Sequence, residues 1–141
     1  MTNPRRLTDA LSVLPQIDPA EIPELARQGF RVLIDNRPDA EVGAGIDSRV
    51  MEDAARAAGM EFRYVPFVPG QVTPEMVEDF AAALDLPGPA LAYCRSGTRS
   101  TTLWALTQAG RRSPQDILGT AAAAGYDLSH MAPMLAAKAR G

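Results

Sequence analysis

Cysteine and histidine are the scarcest reactive residues in this 141-residue chain, which has one of each. A lone cysteine excludes an internal disulfide, a cysteine-rich zinc site and a Cys-x-x-Cys redox pair. The lone histidine, His130, has no partners for a histidine-based metal site or a Ser-His-Asp triad. We therefore expect no metal and no cofactor, and we expect His130 to lie on the surface.

Long apolar runs and an excess of positive charge are also missing. No stretch approaches the roughly 18 apolar residues of a membrane-spanning helix, and no apolar run follows the two arginines near the N-terminus as in a signal peptide. The net charge is -3, with no basic stripe, which argues against a nucleic-acid partner. We expect one cytoplasmic domain over residues 1–141, without membrane contact.

Proline and glycine are plentiful, at 12 and 11 residues, and they divide the chain into short elements. Apolar runs predict four strands, at 11–17, 30–34, 60–67 and 90–94. Helical patterns alternate with them and begin at the N-cap residues Asp18, Ser48, Thr73 and Ser113, with further helices at 100–109 and 128–140. Pro15 places the first strand at a sheet edge. The alternation predicts an α/β fold, with a mainly parallel central sheet and helices on both faces.

The single cysteine lies at a chemically favourable place in this pattern. Ligands of parallel sheets bind at the carboxyl ends of strands, and Cys94 stands between a predicted strand and a helix. Loop N–H groups and the first turn of the helix converge there and form an anion-binding nest. Cysteine pKa values in such places fall from about 8.5 to roughly 3.5–7.5, so we expect a thiolate that acts as a nucleophile.

The neighbours of Cys94 fit this role. Arg95 and Arg99 add positive charge, and Gly97 permits a tight turn. Further donors to an anion come from the hydroxyl groups of Ser96, Thr98 and Ser100.

The segment 94–100, CRSGTRS, resembles the active loops of two enzyme classes. Rhodanese-type sulfurtransferases carry Cys-x4-Arg, and cysteine-dependent protein phosphatases carry Cys-x5-Arg, usually after a histidine. More broadly, the order LIDNRPDAE, AARAAGMEFRYVPF and YCRSGTRSTTLWAL, over roughly residues 10–110, is similar to the beta-lactamase-hydrolase-like, phosphatase-like domain family. The resemblance implies a protein-tyrosine-phosphatase-like fold of the dual-specificity type, and activity as a phosphatase or a sulfurtransferase.

Three features bear on the choice between sulfur and phosphate, and the first two favour sulfur. Arg99 follows Cys94 by five positions, as in the rhodanese pattern, so the cradle is smaller than a phosphatase loop. The general-acid aspartate of phosphatases has no counterpart in residues 67–75, where Glu75 is the nearest carboxylate. Tyr93 replaces the phosphatase histidine, and we expect it to be a core residue. An acid from the other loop, at Asp35, Asp39 or Asp47, remains an alternative.

That other loop, DNRPDAE at 35–41, should lie beside the cysteine loop. Arg37 is predicted either to bind the anion or to pair with Asp35. Glu41 is predicted to brace Arg37 or Arg99, and Asp35, Asp39 and Glu41 are candidates for an acid or a supporting role. The alternative is that these residues only order a surface loop.

The sequence thus predicts a rhodanese-like sulfurtransferase in which Cys94 takes the sulfane sulfur of thiosulfate or a persulfide. Arg99 would orient the anionic donor, Arg95 would recruit anions, and Ser100 would donate to the sulfur. A phosphatase that passes through a Cys94 thiophosphate is the alternative, and an inactive anion- or partner-binding module is the third. The substrate is a small sulfur or phosphate anion, and the resemblance implies a persulfide dioxygenase as a partner in trans.

Overall fold

Five strands form one sheet in the computed structural model, which describes residues 3–140. The strands are β1 (Arg5–Arg6), β2 (Leu11–Leu14), β3 (Val32–Asp35), β4 (Glu61–Tyr64) and β5 (Ala90–Tyr93). Their order is β1-β2-β5-β3-β4, and every neighbouring pair is parallel except β1 with β2. The three middle strands, β2, β5 and β3, are parallel, so their carboxyl ends lie side by side at the same edge of the sheet.

Six α-helices lie within the described residues: α1 (Ile22–Arg27), α2 (Ser48–Ala57), α3 (Pro74–Leu84), α4 (Thr98–Gln108), α5 (Pro114–Ala123) and α6 (Ala132–Arg140). Short 3-10 turns occur at Pro19–Glu21, Asp39–Glu41, Ala44–Ile46 and Ser129–Met131. In residues 3–140, no helix combines the length and the apolar character that crossing a membrane requires.

Two clusters of buried side chains cover the two faces of the sheet. Successive strand residues point to opposite faces, so Leu33 and Leu91 pack with α1 and α2. Ile34 and Ala92 pack on the other side, against a cluster that includes Trp104 of α4. Each fully buried aliphatic side chain contributes about 1.5–3 kcal/mol to folding. The predicted α/β class, with a mainly parallel sheet and helices on both faces, is confirmed.

The helix starts follow local capping chemistry. The predicted N-caps are confirmed at Asp18, Thr73 and Ser113. The prediction for Ser48 is wrong, because the Asp47 side chain accepts the Val50 N–H and Ser48 is the first residue of α2. The Ser48 hydroxyl instead donates to Asp39 at 2.6 Å.

Three other predictions differ from the structure: one sheet position, one strand end and one helix start. The predicted edge position of β2 is wrong, because β1 pairs with its outer side and Pro15 follows the last residue of the strand. The strand predicted over 60–67 ends at Tyr64, ahead of Pro66. The helix predicted from residue 100 begins two residues earlier, directly after Gly97.

Candidate active site

Strand β5 delivers Cys94 to the turn in front of α4. Cys94 is 0% exposed, and its Sγ accepts a hydrogen bond from the Gly97 N–H at 3.0 Å. Helix α4 begins at Thr98, so its first-turn N–H groups, which have no acceptor within the helix, lie at this turn. Cys94 therefore stands at the predicted place, between a strand end and a helix start.

The turn requires a glycine at position 97. Gly97 has a φ of +95°, a left-handed conformation that costs other residues about 1–2 kcal/mol. Its carbonyl is fixed by the Thr101 hydroxyl at 2.8 Å and by the Thr101 N–H at 3.0 Å. On the outer side, Ser96 Oγ donates to Thr98 Oγ1 at 3.1 Å, and both residues are exposed.

The Arg99 guanidinium is held at one end and open at the other. Its Nη1 and Nη2 donate to the two oxygens of Glu41 at 2.9 and 2.8 Å, and Nη1 also donates to the Phe67 carbonyl at 2.8 Å. Arginine has five N–H donors, and within residues 3–140 the Nε–H and one Nη2–H have no acceptor. These two donors form the side-on fork that binds carboxylate or phosphate in two-point fashion.

Glu41 braces both arginines, as predicted for either of them. Besides Arg99, it accepts from Arg37 Nε at 3.4 Å. The hydrogen bonds from Arg99 hold the pKa of Glu41 below its usual range, so Glu41 stays ionised and is a poor proton donor. The Arg37 guanidinium also donates to Gln16 at 3.2 Å. The predicted ion pair between Arg37 and Asp35 is wrong, because it is the backbone N–H of Arg37 that donates to Asp35.

The candidate acids Asp35 and Asp39 are both committed to local structure. Asp39 accepts the N–H and the hydroxyl of Ser48 at 2.7 and 2.6 Å. Asp35 is 2% exposed, and burial raises its pKa to about 6. Tyr93, predicted as a core residue, is buried beside it. Within residues 3–140 the buried Tyr93 hydroxyl has no hydrogen-bond partner.

Asn36 is a site residue that the sequence did not reveal. It is 0% exposed, donates to the Val65 carbonyl at 2.8 Å and accepts the Ser100 hydroxyl at 2.7 Å. The predicted bond from Ser100 to Cys94 is therefore wrong, because the Ser100 proton is used by Asn36. Asn36 ties the strand-β3 loop to α4 and so holds the two halves of the site together.

The remaining predicted residues are exposed. Arg95 is exposed, as an anion-recruiting side chain requires, and its carbonyl accepts the Gln16 N–H at 3.2 Å. Glu75 lies in the first turn of α3 and is exposed. His130 is exposed as predicted. Among the described residues no three His, Cys, Asp or Glu side chains cluster as metal ligands.

Comparison with known proteins places this geometry in a family. The model of the family "Beta-lactamase hydrolase-like protein, phosphatase-like domain" matches residues 3–111. A beta-lactamase hydrolase-like protein of Agrobacterium fabrum is 32% identical over 126 residues, which are 87% of this chain and 29% of the relative. The chain therefore spans less than a third of that curated relative's length.

Solved structures agree on the fold. The crystal structure of a candidate phosphatase from Neisseria meningitidis has a TM-score of 0.83 and 29% identity, covering 94% of this chain and 96% of that one. Tk-PTP in its active form has a TM-score of 0.69 at 14% identity, covering 96% and 93%, which supports the fold alone.

The fold and the cysteine loop together define a phosphatase-like α/β domain of the protein-tyrosine-phosphatase type. The chain belongs to the beta-lactamase hydrolase-like protein, phosphatase-like domain family, as its sequence predicted. The comparisons support the alternative prediction, a phosphatase, better than the predicted sulfurtransferase, for which they give no specific support.

Replacing Asn36 by alanine should lower the free energy of unfolding by about 1–3 kcal/mol, because two buried polar groups lose their partner. Urea unfolding measures this loss. The control Gln115→Ala removes an exposed amide from α5 and should change the value by less than about 0.5 kcal/mol. An equally small change in both variants would contradict the bridging role of Asn36.

The buried carboxyl of Asp35 predicts a pH-dependent stability. Its pKa rises from 3.8 to about 6 on folding, so the folded state favours the protonated form. The contribution of Asp35 to the free energy of unfolding is therefore fully present below pH ~4 and is lost as the pH rises through ~6. Asp35→Asn stays neutral, so its stability relative to wild type should rise by ~2–3 kcal/mol between pH ~4 and pH ~7. Urea unfolding across that range tests this, and a constant difference contradicts it.

Proposed function

We propose that this chain is a cysteine-dependent phosphatase that hydrolyses a phosphate monoester through Cys94. The observation that carries the proposal is the Arg99 guanidinium, which Glu41 holds at one end so that its side-on fork is open to an oxyanion. A phosphoryl group develops charge on its equatorial oxygens during transfer. A fixed, planar cation beside a buried sulfur nucleophile matches that charge.

The reaction follows in two displacements. The Cys94 thiolate attacks phosphorus, the S–P bond forms, and the ester P–O bond breaks with its electrons on the leaving oxygen. Water then attacks phosphorus, the S–P bond breaks, and inorganic phosphate leaves with the thiolate restored. Both steps keep negative charge at the Arg99 fork, and the Gly97 N–H stabilises the sulfur anion before the first step and after the second.

The lack of a proton-donating carboxyl group among the candidate acids indicates the class of substrate. Glu41 is held ionised by Arg99, and Asp35 is 2% exposed. Asp39 is bonded to Ser48, and Asp47 accepts the Val50 N–H as the cap of α2. A leaving oxygen that receives no proton departs readily only when its conjugate acid is strong. Aryl phosphates are therefore the favoured substrates, and their phenolate takes its proton from water.

Sulfur transfer is the second candidate, and the five-position spacing from Cys94 to Arg99 favours it. In this reaction the thiolate attacks the outer sulfur of thiosulfate, the new S–S bond forms, and sulfite leaves with the electron pair of the old one. Cyanide then removes the outer sulfur as thiocyanate and restores the thiolate. Sulfite needs no proton to leave, which agrees with a site whose carboxyl groups do not serve as proton donors.

A paired assay separates the two functions. Wild type should release phosphate from p-nitrophenyl phosphate, and Cys94→Ser should abolish release, because a serine hydroxyl is not ionised near neutral pH. Thiosulfate:cyanide transfer is measured on the same samples. Cys94-dependent thiocyanate formation without phosphate release would overturn the phosphatase proposal in favour of sulfur transfer. The absence of both activities would indicate an anion- or partner-binding module.

The open fork of Arg99 makes a second prediction. Arg99→Lys keeps the charge but loses the planar pair of donors, so kcat/KM for p-nitrophenyl phosphate should fall about 100-fold. Arg95→Lys is the matched control, since Arg95 is an exposed arginine of the same loop, and it should stay near wild type. An unchanged kcat/KM in Arg99→Lys would mean that the loop needs positive charge only, and equal losses in both variants would mean that the Arg99 fork has no special role.

A further inference from the structure

The C-terminal part of the chain places an aromatic ring on the cysteine loop. Tyr126 lies beyond the end of α5, outside residues 3–111 that the family model matches. It is 8% exposed and belongs to the core cluster that includes Trp104. Its hydroxyl donates to the Ser96 carbonyl at 3.4 Å, one residue before the turn glycine.

The ring of Tyr126 occupies the space beside Gly97. A Cβ added at Gly97 would overlap the Tyr126 hydroxyl and lie 2.8 Å from Cζ. The glycine is therefore in close contact with the phenol as well as in a left-handed conformation. The same glycine supplies the N–H that donates to Cys94 Sγ, so any movement of Gly97 would change that bond.

Tyr126 is itself firmly held. Its N–H donates to the Ala121 carbonyl at 2.9 Å, which fixes it to the end of α5. Arg5 donates to the Ala124 carbonyl at 3.1 Å, which ties the same turn to β1. Burial raises the pKa of Tyr126 above its usual value, although the nearby Arg5 charge lowers it, so the hydroxyl stays neutral. Tyr126 therefore acts by its volume and position, and adds no charge to the site.

We propose that Tyr126 is a positioning residue for the cysteine loop, whose ring keeps the Gly97 N–H directed at Cys94 Sγ. The proposal rests on Cys94 as the nucleophile, which both candidate reactions share. It assigns a role to the segment after residue 111: α5 and the following turn carry the ring that supports the loop.

The test uses the fact that Cys94 is the only cysteine in the chain. The rate of alkylation by iodoacetamide, measured against pH, then reports the ionisation of one thiol. Tyr126→Ala should move the midpoint of this curve about one unit to higher pH, because a thiolate that loses an N–H donor is less stable. Tyr126→Phe keeps the ring but loses the hydroxyl, which is the atom nearest to Gly97, so its midpoint should lie between those of wild type and Tyr126→Ala.

Two measurements separate positioning from a general loss of structure. Met131→Ala is the matched control: Met131 is 7% exposed and lies in the same C-terminal segment and core cluster, and its variant should keep the wild-type midpoint. A merely loosened loop would raise the alkylation rate at every pH without moving the midpoint. Circular dichroism verifies that each variant is folded.

A wild-type midpoint in folded Tyr126→Ala would overturn the proposal, and so would an equal shift in Met131→Ala. If Tyr126→Ala does not fold, Tyr126→Leu replaces it. The same shift is expected, and a wild-type midpoint in this variant would again overturn the proposal. Alkylation needs no turnover, so the shift is expected even if the protein cleaves neither phosphate esters nor thiosulfate. Failure of this proposal is thus distinguishable from failure of the proposed function.

Discussion

The hydrogen bond from the Gly97 N–H to Cys94 Sγ is the constraint on which the site depends. It places a sulfur that is 0% exposed in the field of backbone N–H groups, where a thiolate replaces its lost hydration with fixed dipoles. The bond requires a left-handed glycine, and the surrounding structure keeps that glycine in place through Thr101 on one side and Tyr126 on the other. The chemistry thus follows from a turn that only one residue type adopts without strain.

Arg99, Glu41 and Arg37 extend this constraint into a charged frame around the loop. The Arg99 and Glu41 side chains are 16% and 30% exposed, and partly exposed pairs of this kind contribute about 1 kcal/mol or less to stability. Their value for function is orientation. Two-point contact with Glu41 fixes the plane of the guanidinium, and a fixed plane is what recognition of a phosphoryl group requires. Net positive charge alone would not select the geometry of the transition state.

Local patterns predicted the sheet, the capped helices and the position of Cys94, because each depends on neighbouring residues. The same reasoning missed Asn36, since nothing in the sequence shows that residue 36 meets Ser100, 64 positions away. It missed Tyr126 for a similar reason. It placed the cap at Ser48 because Asp47 and Ser48 are both good N-cap residues, and the sequence does not show that the Ser48 hydroxyl donates to Asp39. The spacing of Cys94 and Arg99 favoured sulfur transfer, but it does not reveal that Glu41 holds one end of the Arg99 guanidinium.

The account is tested most directly by identifying the group that Cys94 carries during turnover. Wild-type protein is mixed with p-nitrophenyl phosphate in one sample and thiosulfate in another, quenched in acid, and the Cys94 peptide is examined by mass spectrometry. The account predicts a phosphoryl adduct on Cys94 in the first sample. An unmodified peptide there, together with a single added sulfur atom in the thiosulfate sample, would contradict it.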